Sequence, residues 1–317
     1  MFRTKPQIAL GMVDRALAHG VRVRAWTFDE AYGRDTAFLD GLEQRRQIFV
    51  GEVPTNFHGW VIKPRVLKDG PSPSRGRKKK YPRLARGQRS SEVQNLTRFS
   101  PVFRTKTWQR YRIKDTERGP EVWEVKWAVF WRKGADGLPG RRHCLIVARN
   151  VLTKEVKYFV SNRVPWERGI NLRRLLCVAF QRWSVESCFR QAKEELGLDH
   201  YEVRGWRCVH RHFYLTQLSH LFCARMRQKF DAATTPDDPL EHLTMEQVRR
   251  AVNAWLEAAA ERLTRAERLQ RELDKQQYYQ RRNAQARKSH TKTRKARLKS
   301  LGIDADSIKS CIPRSSA

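Results

Sequence analysis

"EVWEVKWAVFW", residues 121–131, decides the fold. Trp123, Val125, Trp127, Val129 and Trp131 recur at every second position, so they share one face of an extended strand. Aromatic and β-branched side chains suit such a pleated, half-buried surface. Downstream, "CLIVARNV" (144–151) and "EVKYFVSN" (155–162) flank a turn and predict a hairpin. Residues about 100–163 are therefore expected to form a small antiparallel sheet.

Around that sheet the chain reads as α/β. Residues 7–18 alternate at helical spacing, with Gly20 as a cap. "VRVRAWTFD", 21–29, predicts a strand that ends on Asp29, and "EAYGRD" a turn. Asp35 is placed to cap a helix over "TAFLDGLEQR". "QIFVGEVP", 47–54, predicts a second strand. The sheet of 100–163 would then be an insert in an α/β frame. Residues 64–100 predict a basic loop, with eight Lys/Arg between Arg75 and Arg89, among them Lys78, Lys79 and Lys80. From residue 171 the pattern is helical, over 171–196, about 208–229 and about 244–276. "WRCVHRHFYLTQLSHLFCARM", 206–226, holds Cys208, His210, His212, His220 and Cys223. Their spacing matches no common zinc module, and an amphipathic packing helix is the reading preferred. Lys275 to Lys299 carries ten Lys/Arg and no acid, including Arg281, Arg282, Arg287 and Lys288.

The 317 residues suffice for a sizeable core and two or three lobes. Sixty-five Lys/Arg against 33 Asp/Glu give a net charge of +32. Self-repulsion of that size costs stability, so a polyanionic partner is expected, and nucleic acid is the commonest. An anionic membrane is the competitor. No apolar run approaches a membrane span and no signal-peptide pattern is found. Six cysteines without regular spacing predict reduced thiols in a cytoplasmic protein. The tryptophan face at 123–131 is expected to be core; the functional alternative is one ring stacked on an unpaired base.

In "QRWSVESCFRQAKEELG", 181–197, Arg182, Glu186 and Lys193 fall within about 40° of one another on a helix. A solvated salt bridge is the bland reading. The sharper one is a metal carboxylate beside cations that meet phosphate, with Asp29 at a strand end as a second carboxylate. Arg190 lies about 80° from Arg182 on the same helix.

These residues resemble cut-and-paste insertion-sequence transposases of the DDE type, whose motif is Y-x2-R-x3-E-x6-K. Arg182, Glu186 and Lys193 stand at those intervals. Ala179 occupies the Tyr position, with Phe180 next to it. "FDEAYGRD" is similar to the stretch that carries the family's second catalytic Asp, here Asp29. "RTKTWQRYRIKD", "GPEVWEVKWAVFWRK" and "LPGRRHCLIVARN" resemble its β-rich insert.

The resemblance implies a partial ribonuclease-H-like α/β fold with an antiparallel β insert and a basic helical C-terminus. It implies Asp29 and Glu186 as catalytic metal ligands, Mg²⁺ or Mn²⁺ as cofactor, and transposon-end and target DNA as partners. Arg182, Lys193 and Arg190 would meet DNA there, and Lys78–Lys80 with Arg281, Arg282, Arg287 and Lys288 would meet it elsewhere. The protein partner expected is a second copy or the full-length transposase. Only 28 residues precede Asp29, and Asp14 sits in a helix pattern, so the first family Asp is expected to be missing. That implies the C-terminal part of a transposase, inactive alone, in a bacterial cytoplasm at the nucleoid. Domains are expected at 1–63 (core strands and the second Asp), 64–165 (basic loop and insert), 166–230 (the Glu helix and packing helices) and 231–317 (basic tail, partly disordered). The alternatives are a non-catalytic or dominant-negative DNA-binding remnant, and a general basic RNA-binding protein.

Overall fold

A computed structural model describes residues 2–70, 80–116, 118–167, 169–233, 243–260 and 265–311. It divides into two compact units. The first comprises 1–113, 121–182 and 305–312, and the second 114–120, 183–304 and 313–317.

The first unit opens with α1 (Lys5–Ala18). Thr4 and Gln7 form a reciprocal capping box at its start, and Gly20 (φ +74°) follows its end. Next come α2 (Glu30–Gly33), α3 (Thr36–Gln44), β1 (Val50–Val53) and β2 (His58–Trp60). Asp35 caps α3 as expected, accepting the Phe38 N–H at 3.0 Å. Short β3 (Val66–Leu67) pairs with β4 (Arg83–Leu84). β5 (Ser91–Glu92), α4 (Val93–Phe99) and α5 (Pro101–Arg104) follow. The stretch 64–100 is therefore not a loop throughout: ladder pairing orders its flanks, while Lys78 and Lys79 lie outside the described residues.

The long strands are β6 (Gln109–Thr116), β7 (Gly119–Lys133), β8 (Pro139–Asn150) and β9 (Val156–Ser161). The sheet runs β1-β9-β8-β7-β2-β5, with β6 also on β7. β7 and β8 pair antiparallel from Trp123↔Asn150 to Trp131↔Arg142, and β8 and β9 from Cys144↔Ser161 to Arg149↔Val156. In the β8–β9 turn Asn150 Oδ1 accepts the N–H groups of Leu152 and Thr153. The predicted hairpin is therefore present. The insert is not a sheet of its own: β1 and β2 belong to the same sheet, so pairing crosses the expected boundary at 63/64.

Both faces of this sheet are covered. On one, Ala128, Phe130, Leu145, Val147 and Val160 pack with Phe28, Phe38, Leu42 and Phe103. On the other, Trp123, Val125, Cys144, Ile146 and Phe159 pack with Leu172, Leu175 and Leu176 of α6 (Leu172–Gln181). Each fully buried aliphatic side chain here contributes about 1.5–3 kcal/mol. Trp123 is thus core, and Trp127 is half-buried with the Lys106 ammonium 4.6 Å from its ring centre. The segment 305–311 closes this layer. Arg112 Nη1 donates to the Ala305 carbonyl at 3.1 Å, and the Cys311 N–H to the Arg112 carbonyl at 2.8 Å.

The strand expected over 21–29 shrinks to Trp26–Phe28, which runs parallel to β1. Trp26 N–H donates to Ile48, Val50 N–H to Trp26 and Glu52 N–H to Phe28, at 2.8–3.0 Å. The Phe28 ring fills the space that a side chain at Gly51 would need. Arg22 and Arg24 are exposed, and among the described residues no strand pairs with them.

The second unit is helical: α7 (Trp183–Leu196), α8 (Trp206–Ala233), α9 (Met245–Ala260) and α10 (Arg265–Ser300). The expected helix 244–276 is two, since α10 begins at Arg265. The expected basic tail is the second half of α10, a regular helix to Ser300. The β6–β7 hairpin tip belongs to this unit, where Arg294 Nη1 donates to Thr116 Oγ1 at 3.1 Å. One apolar cluster is made by Cys223, Met245 and Val248 with half-buried Leu196, Met226 and Val252, and Leu298 and Ile303 are buried as well. Polar contacts supplement it: Arg249 pairs with Glu195 at 3.1 Å, and Gln276 donates to the Gln247 carbonyl at 3.0 Å.

α8 packs through one side, where Cys223 meets Met245 and Val248 of α9. Thr216 and Cys223 mark its buried side. Tyr214, Leu215, Leu218, Leu221 and Phe222 are each at least half exposed, and they share a stripe on the opposite side. Among the described residues all six cysteines are free thiols, and no helix is long and apolar enough to cross a membrane.

Candidate functional site

Asp29 belongs to the first unit and Glu186 to the second. Asp29 follows the extended Trp26–Phe28 run and is the N-cap of α2. Its Oδ1 accepts the N–H groups of Ala31 (3.1 Å) and Tyr32 (3.4 Å). The predicted turn "EAYGRD" is this single helical turn, and its first N–H groups need an acceptor. Capping therefore accounts for Asp29 Oδ1. Among the described residues Oδ2 makes no hydrogen bond.

On α7, Glu186, Arg190 and Lys193 lie within about 60° of one another. All three are exposed and line one cleft of about 560 Å³ with Phe189, Glu194 and Asp199. The helix ends at Gly197 (φ +67°), where the left-handed turn brings Asp199 to the cleft wall. Arg182 is not on this wall. It is the helical residue between α6 and α7, with φ −51° and ψ −38°. Glu194 and Asp199 escape sequence reasoning: Glu194 sits about 80° from Glu186, and Asp199 lies beyond the helix, where periodicity gives no signal.

The donor type of Asp29 and Glu186 suits Mg²⁺, which takes one or two carboxylates and keeps waters for a phosphate. Among the described residues no group of three or more His, Cys, Asp and Glu is placed to hold a metal ion. In the Cys/His segment of α8 Cys208 is exposed, and His220 Nε2 lies 3.9 Å from Cys188 Sγ of α7.

The remaining basic residues present themselves on regular structure. Lys80 is exposed just before the cis Tyr81–Pro82 bond. On α10, Arg281, Arg282 and Lys288 are exposed and Arg287 half-buried. Arg281 and Lys288 lie about 20° apart on one face. Tyr278 and Tyr279 pack edge-on at 5.6 Å, and Arg250 lies 5.7 Å from the Tyr279 ring, so Tyr279 has a packing role.

No curated protein matches the chain. Residues 1–120, which contain Asp29 and stop short of α7, match the model of a family described as DDE superfamily endonuclease.

Proposed function

We propose that this chain is a DNA-binding transposase component of the DDE type, with a partial ribonuclease-H-like frame in its first unit. The match of residues 1–120 to DDE endonucleases carries the reading. Asp29 lies inside it at the end of a run parallel to β1. The convergence of Glu186, Arg190 and Lys193 on one cleft supports the second half of the motif.

In this reading Asp29 Oδ2 and the Glu186 carboxylate hold Mg²⁺ or Mn²⁺. When bound, the ion supplies the polarised phosphate and activated hydroxyl of metal-assisted phosphoryl transfer. Lys193 and Arg190, with Arg182, hold and orient the phosphates of the strand. Lys78–Lys80 and the α10 cations grip the duplex backbone without reading sequence.

Nicking of supercoiled plasmid in Mg²⁺, Mn²⁺ and EDTA tests this. Asp29→Asn keeps the capping oxygen and the fold. It and Glu186→Gln should each lower metal-dependent nicking by at least about 10²-fold. Unchanged nicking in both variants would sink the assignment. Binding without nicking in every arm identifies the non-catalytic DNA-binding alternative.

A further inference from the structure

Four arginines meet at one place in the first unit. Arg46, Arg141, Arg142 and Arg163, with Glu43 and Asn162, line an open cleft of about 270 Å³. That is near the lower limit for small-ligand pockets, about 300 Å³. The walls come from the end of α3, from β8 and from the residues just after β9.

Arg46 is the informative residue. α3 ends in a paired C-terminal motif: Gln47 N–H donates to the Leu42 carbonyl (3.0 Å) and Arg46 N–H to the Glu43 carbonyl (2.9 Å). The motif puts Arg46 at φ +55°, a conformation that glycine adopts without strain. Its guanidinium makes no hydrogen bond or ion pair among the described residues. A cation here offsets the helix dipole, but position 45 already supplies one. Nor does the dipole explain three further arginines from other elements.

The acids nearby are already engaged. Glu43 Oε1 is 2.6 Å from His143 Nε2 and 4.0 Å from Arg132, and Oε2 is 3.8 Å from Arg141. His143 is fully buried, and its Nδ1 lies 2.8 Å from the Arg141 carbonyl, so that nitrogen carries a proton. Burial pushes the Glu43 carboxyl up, but the His143 hydrogen bond and the charges of His143, Arg132 and Arg141 hold it below its usual value. Glu167 is shared by Arg142 (3.3 Å) and Arg163 (3.5 Å). Two carboxylates thus face four lining guanidiniums, leaving positive charge in excess. Asn162 fixes the wall, donating to the Gln47 carbonyl at 2.8 Å and accepting the Phe49 N–H at 3.1 Å.

We propose that this cleft binds a phosphate oxyanion, by convergence of Arg46, Arg141, Arg142 and Arg163. Guanidinium forks match phosphate geometry and keep their charge at every accessible pH. The site shares no residue with the one assigned to phosphoryl transfer, and it stands whether or not that assignment does. The phosphate belongs to a nucleic-acid strand or to a free phosphate compound.

Thermal unfolding of the full chain in inorganic phosphate and in chloride, at equal ionic strength, tests it. Phosphate should raise Tm by about 3 °C in the wild type. Arg46→Gly relieves the left-handed strain, so its Tm in chloride should equal or exceed the wild type, while the phosphate increment disappears. Arg163→Gln should also lose the increment, and the exposed Arg86→Ala should keep it. An increment that survives in both Arg46→Gly and Arg163→Gln overturns the site, as does none in the wild type. Duplex affinity, measured by anisotropy, separates the sources. If Arg46→Gly also weakens it, the phosphate comes from a strand; if affinity is unchanged, the ligand is a free phosphate compound.

Discussion

The two units solve opposite problems. The first buries both faces of a seven-stranded sheet, and strands such as β8 place side chains alternately in two apolar layers. Among the described residues the second buries fewer apolar side chains, Met245, Val248 and Leu298 among them, and it leaves the stripe of Tyr214, Leu218 and Phe222 on α8 exposed. The difference teaches where each draws its stability. A sheet sandwiched between layers carries its own core. A bundle of long, cationic helices relies on polar contacts, and its net charge is relieved when a polyanion binds.

The strongest way to break this comparison is to empty both cores. Phe130→Ala should destabilise the first unit by about 3–5 kcal/mol, whereas Met245→Ala in the second should cost about 2 kcal/mol. Equal costs by denaturant unfolding would remove the contrast. Next comes Glu43→Gln, which should cost about 3 kcal/mol because it leaves buried His143 without its carboxylate and Arg132 with Asp40 alone. The sign with pH follows from the lowered Glu43 value. Its contribution is complete above the ordinary 4.5 and is lost as pH falls through the folded value. Wild type and Glu43→Gln should therefore converge in stability below about pH 4.5.

A third test sharpens the charge side. Replacing Arg281, Arg282, Arg287 and Lys288 by Ala should flatten the log–log salt dependence of DNA affinity by about three to four units. It should leave unfolding of the sheet unit unchanged. The smallest expected effect is Leu218→Ser on α8, within about 0.5 kcal/mol of wild type, since the side chain is 62 % exposed. A larger loss, read by thermal unfolding, would mean that this stripe is covered in solution.

What the sequence discloses follows the range of the interactions. The Asp35 cap, the β8–β9 hairpin and the helices after residue 171 were legible, because each depends on neighbours a few residues apart. The joining of β1 to β9 was not, because Val50↔Ser161 is a pairing over more than a hundred residues. The strand predicted at 21–29 was too long: its Val/Arg alternation satisfies the period-two pattern, but only Trp26–Phe28 finds ladder partners. On α8 the amphipathic period was visible, yet a period cannot say which face a neighbour covers. For the candidate site, helical spacing alone puts Glu186, Arg190 and Lys193 on one side of α7, whereas the capping of α2 by Asp29 depends on a single turn too short to leave a periodic signal. The arginine cleft was missed, since "EQRR" (43–46) and "GRRH" (140–143) meet only through the sheet.

The return of residues 305–311 to the sheet unit makes most of the second unit a cassette. The backbone leaves after Arg182 and re-enters at Ala305, about 120 residues later. Both hinges are anchored in the same layer, through Cys177 on one side and Arg112 on the other. Loop-closure entropy rises only with the logarithm of length, so shortening such an excursion tenfold gains roughly 2 kcal/mol. The sheet is therefore nearly indifferent to how long the cassette is. Helices there can be lengthened, shortened or exchanged as units, and their positive charge retuned, without renegotiating a strand pair.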